Sequence, residues 1–260
     1  MSRSTAEDVL LPVVTRSSSA SRAWHGLLAA VVFASLVIQI TITATSGQDQ
    51  GPGGVLQQDP AGVRFVRMFS FFTIESNILL LAAAVSLTLH PGREGRFWRV
   101  LRLDALLGII ITGLVYATVL AGTAHPTGAG YWSNLGFHYF APWWALLGWL
   151  LFGPRPRIER ATMAWAFLWP TLWIGYTLAH GAATGWYPYP FTDVTQIGYP
   201  AALRNLFFVV VLALAFAGIL RLLDARLPAH SPPAGTPAPR ATVSDPPAIR
   251  SAESHPSPGS

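Results

Sequence analysis

Phe71-Phe72-Thr73-Ile74-Glu75-Ser76-Asn77 sets two hydroxyls, a carboxyl and an amide inside a segment otherwise apolar enough to lie in lipid. Strongly polar or ionisable groups are costly there, so they face a protein interior or a wet cavity and mark a site worth explaining. How the segments on either side are read decides the fold.

The whole chain is apolar. Of its 260 residues 52% are hydrophobic and only 11% are charged, and there are ten Trp. Mean hydropathy is +0.42, too high for an ordinary soluble domain. The composition predicts an all-α polytopic membrane protein. With no Cys, disulfide frameworks and thiolate metal sites are excluded. All 17 basic side chains are Arg, clustered beside apolar runs. That pattern speaks for headgroup contact and topology and against a nucleic-acid partner.

Reading outward from the opening stretch gives six spans. Residues 1–23 are polar and Ser-rich and read as a flexible cytoplasmic leader. Trp24 to Thr45 then supplies roughly the twenty apolar residues that cross a bilayer core. A cleaved signal peptide is the rival reading, but the apolar run exceeds a typical h-region, so a retained helix is expected. After a Gly, Gln, Asp and Pro loop (Ser46 to Arg64), the second span runs from Phe65 to His90, and Pro91-Gly92 ends it. The remaining spans are Leu103 to Gly122, Leu135 to Phe152, Ala161 to His180 and Pro200 to Leu223. Residues 24–226 form the six-transmembrane-helix bundle, and 227–260, rich in Pro, Ser and Ala, read as a disordered cytoplasmic tail. No internal repeat stands out.

Arg placement orients the bundle. The leader, the loop with Arg93 to Arg102, the loop with Arg155, Arg157 and Arg160, and the C-terminal flank are Arg-rich. The loops Thr123 to Asn134 and Gly181 to Tyr199 have none. Both termini are therefore expected in the cytoplasm, with Arg64 and Arg67 the exceptions on the outer side.

In this topology the outer third of the bundle collects Thr73, Glu75, Asn77, His138, His180, Asp193 and Arg204, beneath the aromatic loop that carries Trp186 and Tyr187. Thr73, Ser76, Asn77 and Leu80 follow helical spacing and share a face. Glu75 lies about 200° from Thr73 and is expected to pair with Arg204 or His180. A Thr hydroxyl commonly bonds the carbonyl four residues back, His138 can be a packing histidine, Asn77 interhelical glue, and Asp193 a turn cap. Jointly, a hydroxyl and an imidazole at one depth are the minimum for nucleophilic catalysis. Two other classes use the same atoms: His138 and His180 as haem or metal ligands, or polar groups lining a transport path.

Six spans, Phe72-Thr73-Ile74-Glu75-Ser76-Asn77 in the second, His138 opening the fourth, and Trp186-Tyr187-Pro188-Tyr189-Pro190-Phe191 after the fifth resemble bacterial members of the androgen-induced-protein family. The likeness spans Trp24 to Arg226. Animal members are membrane threonine hydrolases of fatty acid esters of hydroxy fatty acids. The resemblance implies a catalytic Thr at Thr73 and a catalytic His at His138. On this reading an amphiphilic lipid ester enters from the outer leaflet, Thr73 attacks with His138 as base, and no cofactor is needed. Asn77 would donate to the oxyanion and Asp193 or Glu75 would orient the imidazole.

Overall fold

The structure, a computed structural model, describes residues 7–45 and 59–228, with side chains given from residue 19. The expected tail and most of the first loop lie outside the described residues. Among the described residues every regular element is helical and there is no strand.

Helix α1 (Glu7–Thr45) starts well inside the stretch expected as a leader. A Ser-rich segment is a weak helix former, but helix propagation from an adjoining apolar run is cheap compared with nucleation. The second expected span is two helices, α2 (Ala61–Ser70) and α3 (Phe72–Leu89), interrupted by an extended Phe71 with φ −72° and ψ 125°. α4 (Arg96–Val115) begins earlier than expected and continues as a π-helical turn, Tyr116–Leu120. The early start is possible because Arg99 and Arg102 find partners: Arg99 meets Glu159 at 2.7 Å, and Arg102 donates to the Gly153 carbonyl at 2.8 Å.

The fourth expected span is continuous from α5 (Gly128–Asn134) through a second π turn (Leu135–Phe140) into α6 (Ala141–Phe152). The fifth is broken into α7 (Arg160–Ala166) and α8 (Leu168–Thr184). Pro170 is the cause: it has no N–H to give to the Ala166 carbonyl, and its ring crowds that oxygen. A short 3₁₀ turn, Pro190–Thr192, leads to α9 (Val194–Arg226), kinked where Gly198 takes φ 74° two residues before Pro200.

Among the described residues four helical stretches are long and apolar enough to cross a membrane: Ser19–Thr45, Phe72–Leu89, Arg96–Leu120 and Val194–Arg226. α4 is the centre of the molecule, packed against α3, α6, α7 and α9, while α1 covers α3, α5 and α6. In the most apolar window of the α4 stretch 72% of residues are buried, against 17% in α9. α9 therefore presents an apolar outer face, with Phe207 and Phe208 both more than half exposed.

Candidate functional site

The site begins with the break at Phe71. Ending one helix and starting another one residue later strands polar backbone groups on both sides. The carbonyl of Ser70 would be orphaned, and Trp173 Nε1 on α8 donates to it at 3.0 Å. The Ser70 hydroxyl donates back to Val66 and also meets the Tyr176 phenol at 2.7 Å. The Thr73 N–H donates to the Tyr189 phenol oxygen at 3.2 Å, and the Phe72 N–H faces that oxygen too. Polar heads of two aromatic residues, Trp173 and Tyr189, thus repair the interrupted ladder. Phe71 itself is clasped edge-on by Trp186 and Tyr189, at ring separations of 5.7 and 5.5 Å.

This break determines what the Thr73 hydroxyl does. The ordinary habit is seen at Ser35, Thr41, Thr88, Thr118, Thr171 and Thr184, which all donate to the carbonyl four residues back. For Thr73 that carbonyl belongs to Phe69, on the far side of the break. Its Oγ1 instead lies 3.4 Å from His138 Nε2 and 3.3 Å from the Tyr189 phenol oxygen. Such separations are long for hydrogen bonds, as is common between catalytic groups before substrate binds.

The proton positions follow from the partners. His138 Nδ1 lies 3.3 Å from the Asn134 carbonyl, which can only accept. Nδ1 therefore carries the hydrogen and Nε2 is the acceptor. The Thr73 hydroxyl then donates to Nε2 and accepts from Tyr189. Burial pushes the Tyr189 phenol up to about 12, so it stays protonated and able to donate at neutral pH. The N–H groups it accepts from α3 polarise its O–H further.

His138 is held by two π turns that face each other. It sits in Leu135–Phe140, and Tyr116, opening the other π turn, stacks on it with ring centroids 3.9 Å apart and planes 21° from parallel. π turns redirect a helix face locally and recur at functional sites. Gly113 lets the two segments meet, since a Cβ there would fall 2.7 Å from Pro142 Cγ and 3.4 Å from the His138 carbonyl oxygen. Across the site, Gly181 makes room for the Tyr187 ring, which a Cβ would meet at 2.1 Å. That seat fixes the loop two residues before Tyr189. Asn205 on α9 pins the same loop by donating to the Phe191 carbonyl at 3.0 Å.

From Thr73 and Tyr189 an apolar cavity of about 100 Å³ runs between α4, α8 and α9, walled by Ile111, Trp169, Trp173 and Val209. On α4 its wall extends from Val115 to Asp104, roughly 16 Å at the helical rise. Asp104, a buried carboxyl, closes the far end.

The expected face on α3 is present: Thr73, Ser76, Asn77 and Leu80 are all buried. Several expected partners are not. Asn77 is fully buried, and its Nδ2 donates one hydrogen to the Thr73 carbonyl at 2.8 Å on its own helix. Ser76 packs toward Gly108 and makes no hydrogen bond. Glu75 pairs with neither Arg204 nor His180; it accepts from Trp169 Nε1 at 2.8 Å. That indole lies closer on the helix face than any cation. Arg204 is exposed on α9.

Asp193 does not orient the imidazole. It caps α9, accepting from the Thr195 N–H at 3.0 Å, from the Thr195 hydroxyl and from Gln196, as a helix-capping Asp does. His180 stacks on Tyr176 and meets the edge of Trp186. The guanidinium of Arg67 lies 5.2 Å above the Trp186 ring, so this exceptional arginine helps hold the loop. Arg64, the other, donates to the carbonyls of Thr43 and Ala44 at the end of α1. Among the described residues no group of three or more His, Asp or Glu is arranged to hold a metal ion.

Sequence reasoning missed Tyr189, Tyr116 and the Asn134 carbonyl. The first was in plain view within the aromatic loop, and its signal was a phenol flanked by two prolines that fix the backbone on either side. Comparisons with protein-family models, curated proteins and solved structures find no match.

Proposed function

We propose that this chain is an integral membrane lipid esterase in which Thr73 is the nucleophile and His138 the general base. The observation that carries the reading is the hydroxyl of Thr73, released from its own helix by the break at Phe71 and placed between an imidazole acceptor and a phenol donor. The proposal includes six membrane crossings, the two interrupted helix pairs and the α5–α6 run among them, with both termini cytoplasmic and the Thr73 end in the outer leaflet. Breaks at membrane depth are tolerable where surrounding protein satisfies the freed backbone groups, as it does around Phe71.

An amphiphilic ester would place its carbonyl beside Thr73 and an alkyl chain in the cavity toward Asp104. His138 Nε2 takes the Thr73 proton as Oγ1 bonds to the carbonyl carbon, and the imidazolium keeps its Nδ1–H on the Asn134 carbonyl. Tyr189 is placed to donate to the developing oxyanion. The imidazolium then returns its proton to the departing alkoxide. Water, with His138 again as base, hydrolyses the Thr-linked acyl group and restores the enzyme. The resemblance to the androgen-induced-protein family supports fatty acid esters of hydroxy fatty acids as the substrate class.

The test is labelling of the purified protein with an activity-based serine/threonine hydrolase probe. Wild type and Thr73→Ser are expected to label. Thr73→Ala is expected to be silent, and His138→Ala slower by about 10²–10⁴-fold, the usual contribution of a general base. Equal labelling of wild type, Thr73→Ala and His138→Ala overturns the assignment.

A further inference from the structure

A second cavity, of about 60 Å³, lies at the opposite end of the bundle, and its polar wall carries Arg93, Glu94, Arg99, Arg102 and Arg157. Four guanidinium groups share this wall with one carboxylate. Glu94 accepts from Arg157 Nε at 2.7 Å and more distantly from Arg99, whose other arm reaches Glu159. Those two carboxylates answer Arg157 and Arg99. Asp224, the next acid nearby, is committed to the N–H groups of Arg157 and Ile158 at 2.6 and 2.7 Å.

Among the described residues neither Arg93 nor Arg102 forms an ion pair, although Glu94 and Asp224 lie near enough to Arg102 to act on its charge. Arg93 meets only the Ser86 hydroxyl at 3.3 Å and the face of Trp98, and Arg102 spends one nitrogen on the Gly153 carbonyl. Arg99 Nε is buried with no acceptor at all. Buried donors of this kind nearly always have a partner. Two guanidinium groups without an ion pair and an unanswered N–H therefore line one small cavity. Its remaining wall, including Leu28, Leu80, Ala83 and Leu87, is apolar.

We propose that this cavity binds the phosphate of an anionic amphiphile, the head at the arginines and the chain along the apolar wall. Guanidinium groups match phosphate oxygens in planar, paired hydrogen bonds, and basic pockets between helices on the cytoplasmic side suit anionic headgroups. Arginines that only set topology would extend into solvent; Arg102 is instead turned inward onto Gly153, while Arg93, itself exposed, rests on the buried indole of Trp98 at the cavity's edge.

The experiment uses the full chain in detergent, titrated separately with phosphatidylglycerol, phosphatidylcholine of the same acyl length, and inorganic phosphate, and read by thermal unfolding and native mass spectrometry. Phosphatidylglycerol is expected to raise the Tm and remain bound one to one, while phosphatidylcholine does neither. Arg93→Gln and Arg102→Gln should each weaken the apparent affinity by about tenfold or more, the worth of a charge-assisted hydrogen bond. Arg22→Gln and Arg226→Gln, away from the cavity, should leave it unchanged. Inorganic phosphate acting alone at the same affinity would support the site and identify free phosphate as its ligand. No response to either phosphate source overturns the proposal, as does a response that Arg93→Gln leaves intact; exposed Arg93 serves where Arg102→Gln fails to fold.

Discussion

The two ends of the bundle solve one problem with different chemistry. At each, a helix stops inside the protein and leaves backbone groups without partners. At the Thr73 end the repair is made by neutral aromatic heads: Trp173 on Ser70, Tyr189 on Thr73. At the arginine end it is made by charge. Arg155, only 3% exposed, donates to the carbonyls of Trp149 and Leu150 at the close of α6, and Asp224 accepts from Arg157 and Ile158 before α7. A charged cap is strong and hard to displace, because losing its partner strands a buried ion. A phenol or hydroxyl changes partner at little cost. The neutral end therefore suits the proton transfers proposed for it, while the charged end holds the helices and suits the proposed anion site.

The sharpest way to break that contrast is at Asp224. Replacing it by Ala leaves two backbone N–H groups unanswered at a buried position, expected to cost about 2–6 kcal/mol at 1–3 kcal/mol per group. Denaturant or thermal unfolding should register the loss. The probe-labelling rate of the molecules that remain folded should not change. A labelling rate that falls with the Asp224→Ala stability would show the two ends to be one cooperative unit.

Tyr189→Phe makes the converse test. It keeps the ring against Phe71, Trp173 and Phe191 and removes only the oxygen. Stability should fall by about 1–3 kcal/mol for each backbone N–H that the phenol oxygen leaves unanswered. Labelling should slow by about 10²–10³-fold, or 2.7–4 kcal/mol in the barrier, as when one oxyanion donor is deleted. A loss confined to stability would make Tyr189 a patch for the helix break and nothing more.

How much of this was legible in the sequence divides along the same line. Helical class, the apolar stretches, and the Thr73 and His138 pairing follow from hydropathy, spacing and resemblance, because they depend on residue type alone. The break at Phe71 did not, since Ser70-Phe71-Phe72 contains neither Gly nor Pro and reads as uninterrupted helix. The aromatic heads that make the break affordable come from α8 and from the loop before α9, about a hundred residues away. The Glu75 partner was misread for a related reason: charge complementarity favours Arg or His, while the geometry offered an indole N–H, which carries no formal charge to notice. Tyr116 read as one more apolar residue of its span because nothing local announces a π turn.

Glu75 gives the smallest expected effect and the finest discrimination. Its carboxyl, half-buried in the first turn of α3, accepts from Trp169, and Trp169 stacks on Phe72 at 4.7 Å, beside the nucleophile. If Glu75 served the chemistry as a base or by orienting His138, Glu75→Gln would cost orders of magnitude. The His138 partner is the Asn134 carbonyl, so no such loss is expected. Gln keeps the side-chain length and a carbonyl acceptor for the indole, and it removes a carboxylate whose only other return is a modest interaction with the N-terminus of α3, about 0.3–1 kcal/mol. Labelling should therefore stay within about threefold of wild type, and stability within about 1 kcal/mol. Glu75→Leu, which deletes the acceptor, should cost more in both by freeing Trp169 to shift against Phe72. A Gln variant as slow as His138→Ala would return Glu75 to the reaction and erase the distinction between a neutral, proton-moving end and a charged, structural one.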